Sequence, residues 1–200
     1  MMRLRALLLM LVCTASLTAQ QLPKTAPAEG AAEPRVFVRP RVPAALFTHE
    51  KTALLEPECE RIATFLARYA AKQYTAGVLR GDAQARTRGR LLLTISLHLQ
   101  PLNAPAVHCG VRWADSQAPA LAPPADDLRV FSNFLLTAAK RQADKPTPAR
   151  ESLARILTRL AADLDPENED AVLASELQDR DGKAPLLREL LDGTLGVDWK

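Results

Sequence analysis

The stretch Leu164-Asp165-Pro166-Glu167-Asn168-Glu169-Asp170-Ala171-Val172 recurs in worn form as Leu99-Gln100-Pro101-Leu102-Asn103-Ala104-Pro105-Ala106-Val107. Leu, Pro, Asn, Ala and Val keep their places at an offset of 65 residues. The phrase carries helix-start chemistry: Asp165 offers a cap, Pro166 opens a helix without needing an N–H, and Glu167 and Glu169 meet the positive end of the helix dipole. It therefore predicts a joint at which one helix ends and the next begins. Its recurrence predicts that the joint is built twice.

Outward from the joint the match continues. At the same offset Arg90 pairs with Arg155, Leu91 with Ile156, Leu92 with Leu157 and Ile95 with Leu160. Further upstream the offset grows by three residues, where Phe65–Gln73 resembles Asn133–Arg141, as a small loop insertion would produce. Three blocks in the same order define two units, about 58–115 and 125–182. Each unit is a helix, a short loop, a second helix and a joint that launches a third.

Periodicity fills in the helices. Thr147 and Pro148 start a helix over 148–164, in which Leu153, Ile156, Leu157, Leu160, Ala161 and Leu164 form one apolar stripe. A helix over 58–79 follows Pro57, with Ile62, Phe65, Leu66, Tyr69 and Ala70 at helical spacing. Its counterpart over 125–142 places Leu128, Phe131, Leu135 and Ala138 on one face. After Asp165 and Pro166, the residues Ala171, Val172, Ala174, Ser175 and Leu177 lead to a stop at Gly182. A short terminal helix is expected over 185–192. Leu91–Leu99 alternates Leu93, Ile95, Leu97 and Leu99 with Thr94, Ser96 and His98, a strand pattern, but its helical partner at 156–164 decides for helix. The expected fold is all-α.

The Leu-Asp-Pro-x-Asn-x-x-Ala-Val phrase resembles the helix boundary of tetratricopeptide repeats. The resemblance implies two tetratricopeptide-like helix-hairpin units arranged in a solenoid-like way, and a surface that binds protein or peptide. The chain departs from that family in its 65-residue spacing, nearly twice the usual ~34-residue period, and in lacking the Trp, Gly and Tyr of the first family helix. No binding residue carries over, because no binding position matches.

Residues 1–19 carry a secretory signal pattern: Arg3 and Arg5, an apolar Ala6–Val12, and small residues around Ser16–Ala19. Export to the periplasm or outside the cell follows as an expectation. Residues 20–47 are expected to be a Pro/Ala-rich linker, with Arg35–Arg39 extended, and 48–200 the helical domain. Removing residues 1–19 takes two of the 26 basic residues and no acid, leaving 24 against 23 acidic residues. Such a balance gives no case for nucleic acid or an acidic membrane as partner. No later segment is apolar enough to span a membrane.

Few residues point to chemistry. Cys59 and Cys109 survive signal removal, and the three-helix joint suggests a disulfide between them in an exported chain; two small buried thiols are the alternative. His98, His108 and Cys109 form the single cluster resembling a metal or Cys–His site, but neighbouring side chains cannot easily converge and no fourth ligand is evident. Trp113 is either packed beneath the Ser116–Pro124 connection or an exposed anchor for a partner, and Trp199 stands near the end. No phosphate loop, H-E-x-x-H, G-x-S-x-G or paired C-x-x-C is present. The expectation is a binding or scaffolding protein without cofactor, metal or catalytic residues. The alternatives are a periplasmic hydrolase or enzyme accessory subunit using His98, His108 and Cys109, and an envelope structural protein without ligand.

Overall fold

The structure is a computed structural model that describes residues 45–182, apart from Asp115, Ser116, Ala118 and Ala120. The expected signal at 1–19, most of the expected linker, the expected helix at 185–192 and Trp199 lie outside the described residues. The described residues form six helices: α1 (Glu56–Arg80), α2 (Ala83–Leu99), α3 (Ala104–Ala114), α4 (Leu128–Ala143), α5 (Pro148–Leu164) and α6 (Glu169–Arg180). There is no strand among the described residues. The protein is all-α, and α1–α2 and α4–α5 form two helical hairpins, each followed by a third helix packed back on it.

Local chemistry sets these boundaries. The Leu55 N–H donates to the Glu58 carboxylate at 2.9 Å at the start of α1, beside Pro57 in the first turn. Gly81 ends that helix in the left-handed region at φ 68°, where a side chain would be strained. Asp82 then accepts from the Gln84 and Ala85 N–H groups at 2.8 and 3.1 Å to open α2. α5 has the bounds its sequence predicts: the Thr147 hydroxyl accepts from the Arg150 N–H at 3.3 Å, and Pro148 leads the helix. Gly182, at φ 65°, follows the end of α6.

The joint is built twice with the same bonds. The Gln100 N–H donates to Ser96 O and the Asp165 N–H to Ala161 O, at 3.0 and 3.2 Å. The Asn103 and Asn168 side-chain oxygens accept from the Ala106 and Ala171 N–H groups at 3.1 and 3.2 Å, so each Asn caps the next helix. Each Asn amide also donates back to the first helix of its hairpin, Asn103 to Thr64 Oγ1 and Asn168 to Ser132 Oγ, both at 2.9 Å. This corrects the expected role of Asp165 and Pro166. Asp165 closes α5, Pro166 and Glu167 form the turn, and α6 starts only at Glu169. Asn wins the cap because its oxygen reaches the third amide of the helix while its NH₂ still ties the hairpin.

Leu91–Leu99 is helical, and all of Leu92–Leu99 is buried. Thr94 and Ser96 tolerate this because their polar groups are placed: Thr94 Oγ1 donates to Arg90 O at 3.0 Å and Ser96 Oγ to Ala63 O at 2.7 Å. The second hairpin makes the reciprocal bond, with Ser132 Oγ on α4 donating to Ala161 O on α5 at 2.8 Å. Part of the cover on α2 is a segment assigned in sequence to the linker. Phe47 is buried against the His98 ring, centroids 6.1 Å apart, and its N–H donates to His98 O at 3.1 Å. Phe47 belongs to the core and Leu46, half-buried, packs against it, so the last two residues assigned to the linker lie on the helices. Leu128 departs from its expected core face and is 36% exposed at the first residue of α4, whereas Phe131, Leu135 and Ala138 are fully buried.

The hairpins meet through α1 and α4, which run in opposite directions. Arg141 reaches Glu58 at 2.6 Å, while further up α1 the Phe65 ring stacks on Phe131 from the start of α4, centroids 3.6 Å apart. Arg61 lies between these contacts, paired with Asp126 at 2.9 Å and with its guanidinium 4.7 Å from the Phe134 ring centre. The Ala53 N–H donates to Gln142 Oε1 at 2.9 Å, which satisfies a fully buried amide. Partial burial pushes the Glu58 carboxyl up, but bonds from Arg141 and the Leu55 N–H, with the Arg141 charge, outweigh it and hold the group below the usual range.

Candidate binding cleft

The residues singled out for chemistry do not assemble. His108 is exposed on α3 while the next residue, Cys109, is fully buried and its thiol donates to Ala67 O at 3.7 Å. His98 is buried on α2 against Phe47. Consecutive helical residues point about 100° apart, which separates the His-Cys pair. No group of three or more His, Cys, Asp or Glu that could hold a metal occurs among the described residues.

The expected bridge is also absent: Cys59 and Cys109 are both free, buried thiols. Cys109 meets α1 at Ala67, eight residues beyond Cys59 and about 12 Å further along the helix, well past the reach of a disulfide. α3 packs farther along α1 than the joint suggested. Burial pushes the Cys109 thiol up to about 12, and burial with the Glu58 and Glu56 charges pushes Cys59 up to about 11. Both are unreactive as nucleophiles near neutral pH. Trp113 is no exposed anchor: it is 7% exposed and stacks on Tyr74 of α1, centroids 4.4 Å apart.

A cleft of about 400 Å³ lies elsewhere, between the first turns of α2 and the last turns of α5. Its floor is apolar, with Leu92, Leu160 and Leu164 buried and Tyr69 and Leu91 packed at its edge. One wall carries Gln84, Thr87 and Arg88 from α2; the other carries Arg159 and Asp163 from α5. The two walls differ in charge. Arg159 is neutralised by Asp163 at 3.3 Å and by Asp179 of α6 at 3.1 Å. Arg88 is exposed and makes no ion pair among the described residues.

Gly77 and Gly89 set the position of the α2 wall. A Cβ on Gly77 would stand 2.9 Å from Arg86 N and Asp82 O, and one on Gly89 would stand 3.1 Å from Ala70 O. The missing side chains let α1 and α2 approach backbone to backbone at this end. Sequence reasoning placed Leu160 and Leu164 in the core stripe of α5, and Tyr69 on α1, but assigned none of them to a site. The signal that was present is the run Arg86-Thr87-Arg88-Gly89-Arg90, with three cations and no acid in the first turns of a helix.

No family model matches this chain, and neither curated proteins nor solved structures give a match.

Proposed function

We propose that the protein is an exported helical module that binds a peptide or an extended protein segment in the cleft between its hairpins. The observation that carries the reading is the cleft itself: about 400 Å³, floored by leucines and walled by polar and charged side chains from two helices. Sites that recognise organic ligands combine an apolar body with a few placed polar groups. The dispersed positions of His98, His108 and Cys109 favour binding over catalysis. The tetratricopeptide-like joint adds support by analogy, as paired helices stacked in this way often present binding surfaces. Export rests on the signal pattern of residues 1–19 and is tested by sequencing the mature N-terminus.

The binding reading is tested by placing a photo-crosslinking amino acid at Thr87 in the cleft and, separately, at Leu79, an exposed residue outside it. In producing cells, the reading predicts adducts to one polypeptide from Thr87 alone, lost when Leu91→Asp charges the cleft edge. Adducts that are equal at both positions, or none at Thr87, reject it.

A further inference from the structure

The two hairpins supply an internal control for the charge on the cleft wall. At the 65-residue offset, Arg86 and Arg90 of α2 correspond to Glu151 and Arg155 of α5. In α5 these residues form an ion pair one turn apart, at 3.6 Å. In α2 both are cations, a repulsive spacing, and Arg86 closes the first turn, at the positive end of the helix dipole. The one acid at this end, Asp82, is committed to the Gln84 and Ala85 amides. A helix start with like charges one turn apart and no ion pair for them among the described residues is the kind of local conflict expected at a functional surface. The α5 wall gives no such surplus, because Asp163 and Asp179 surround Arg159.

We infer that the cleft selects a peptide in which an aliphatic side chain lies next to a carboxylate, the aliphatic group on the Leu91–Leu92–Leu160–Leu164 floor and the carboxylate on Arg88. The inference rests on the binding reading above and adds the chemical class of the ligand. Arg88 is the group that orients it, since an exposed guanidinium offers paired donors to a carboxylate. Asp163 on the opposite wall disfavours the reverse orientation. Arg86 and Arg90 raise the local positive potential without lining the cleft.

Four labelled peptides of equal length test this by fluorescence anisotropy against the full chain: alternating Leu/Glu, Leu/Gln, Leu/Lys and Ser/Glu. The Leu/Glu peptide is expected to bind about ten-fold more tightly than Leu/Gln, the gain of one charge-assisted hydrogen bond. Ser/Glu is expected to be weaker still, and Leu/Lys weakest. Arg88→Gln, at an exposed position, should leave the circular dichroism unchanged and abolish the preference for Leu/Glu over Leu/Gln. Leu/Gln or Leu/Lys binding as well as Leu/Glu overturns the inference and leaves the binding reading standing, and so does Ser/Glu matching Leu/Glu. Binding of none of the four rejects both. Crosslinks from Thr87 to residues 183–200 of the same chain, or to a second copy, also overturn it by assigning the cleft another occupant.

Discussion

Asn103 and Asn168 make corresponding bonds at the two joints, whereas the turns at the other ends of the hairpins share almost nothing. α1 runs 25 residues and α4 only 16. α1 and α2 are joined by Gly81 and Asp82 alone, while Asp144–Thr147 separate α4 from α5. Gly77 and Gly89 bring α1 and α2 into backbone contact, and the second hairpin contains no glycine over 128–164. The joint is constrained because one side chain satisfies an amide of the next helix and bonds a hydroxyl on the first helix of its hairpin, so a change there strands polar groups. The turn carries no such obligation, and it is there that the units diverge in length, charge and exposure.

The largest test of this contrast lies where the hairpins meet. Phe131→Ala removes the ring stacked on Phe65 and should cost about 3–5 kcal/mol in urea unfolding. A loss under about 1 kcal/mol would mean the hairpins do not depend on that stack. Gly77→Ala pushes a methyl into backbone atoms and should cost about 1–3 kcal/mol. If it stabilises instead, as Ala does in an open helix, the close approach of α1 and α2 is wrong. Asn103→Ala should cost about 2 kcal/mol and Asn168→Ala about 1 kcal/mol, as Asn103 is buried and Asn168 half-buried. Reversal of that order would break the equivalence of the joints.

The next effect is a dependence on pH. Glu58 titrates below its ordinary 4.5 in the folded chain, so its contribution is present above that value and is lost as pH falls through the folded value. Unfolding of wild type and Glu58→Gln should therefore differ at neutral pH and converge as the pH is lowered past the ordinary 4.5 and through the folded value. A constant gap would exclude the Arg141 contact as its source. The smallest effect tests the α2 wall. Arg86→Glu recreates the Glu151–Arg155 arrangement and should raise stability by a few tenths of a kcal/mol, roughly one helix ion pair. A fall in melting temperature would show that Arg86 is held by a contact stronger than the repulsion it relieves.

Much of this architecture was legible. α5 matched residue for residue because Thr147-Pro148 fixes its start and its stripe has one buried face. α2 is close to a strand in its pattern, for a physical reason: helix, joint and N-terminal segment surround Leu92–Leu99, so no polar face survives to display a helical period. Phe47 was hidden by the prolines around it, which describe a linker well until its last residues. The disulfide failed because adjacency of elements does not fix how far along α1 the third helix lands. The cleft was least legible: it needs the opposed directions of α1 and α4, a relation that no periodicity within one helix encodes.

The two buried thiols have a use that none of their sequence neighbours suggests. Cys59 lies in the first turn of α1 beside Thr52 of the N-terminal segment, and Cys109 lies on α3 where it packs against Ala67 of α1. Each becomes available to a thiol reagent only when its own cover lifts, so their labelling rates are two separate clocks on local opening within one chain. Equal rates would mark a fold that opens as a unit. A faster Cys59 would mark a clasp at residues 45–55 that loosens while the helices beneath stay packed.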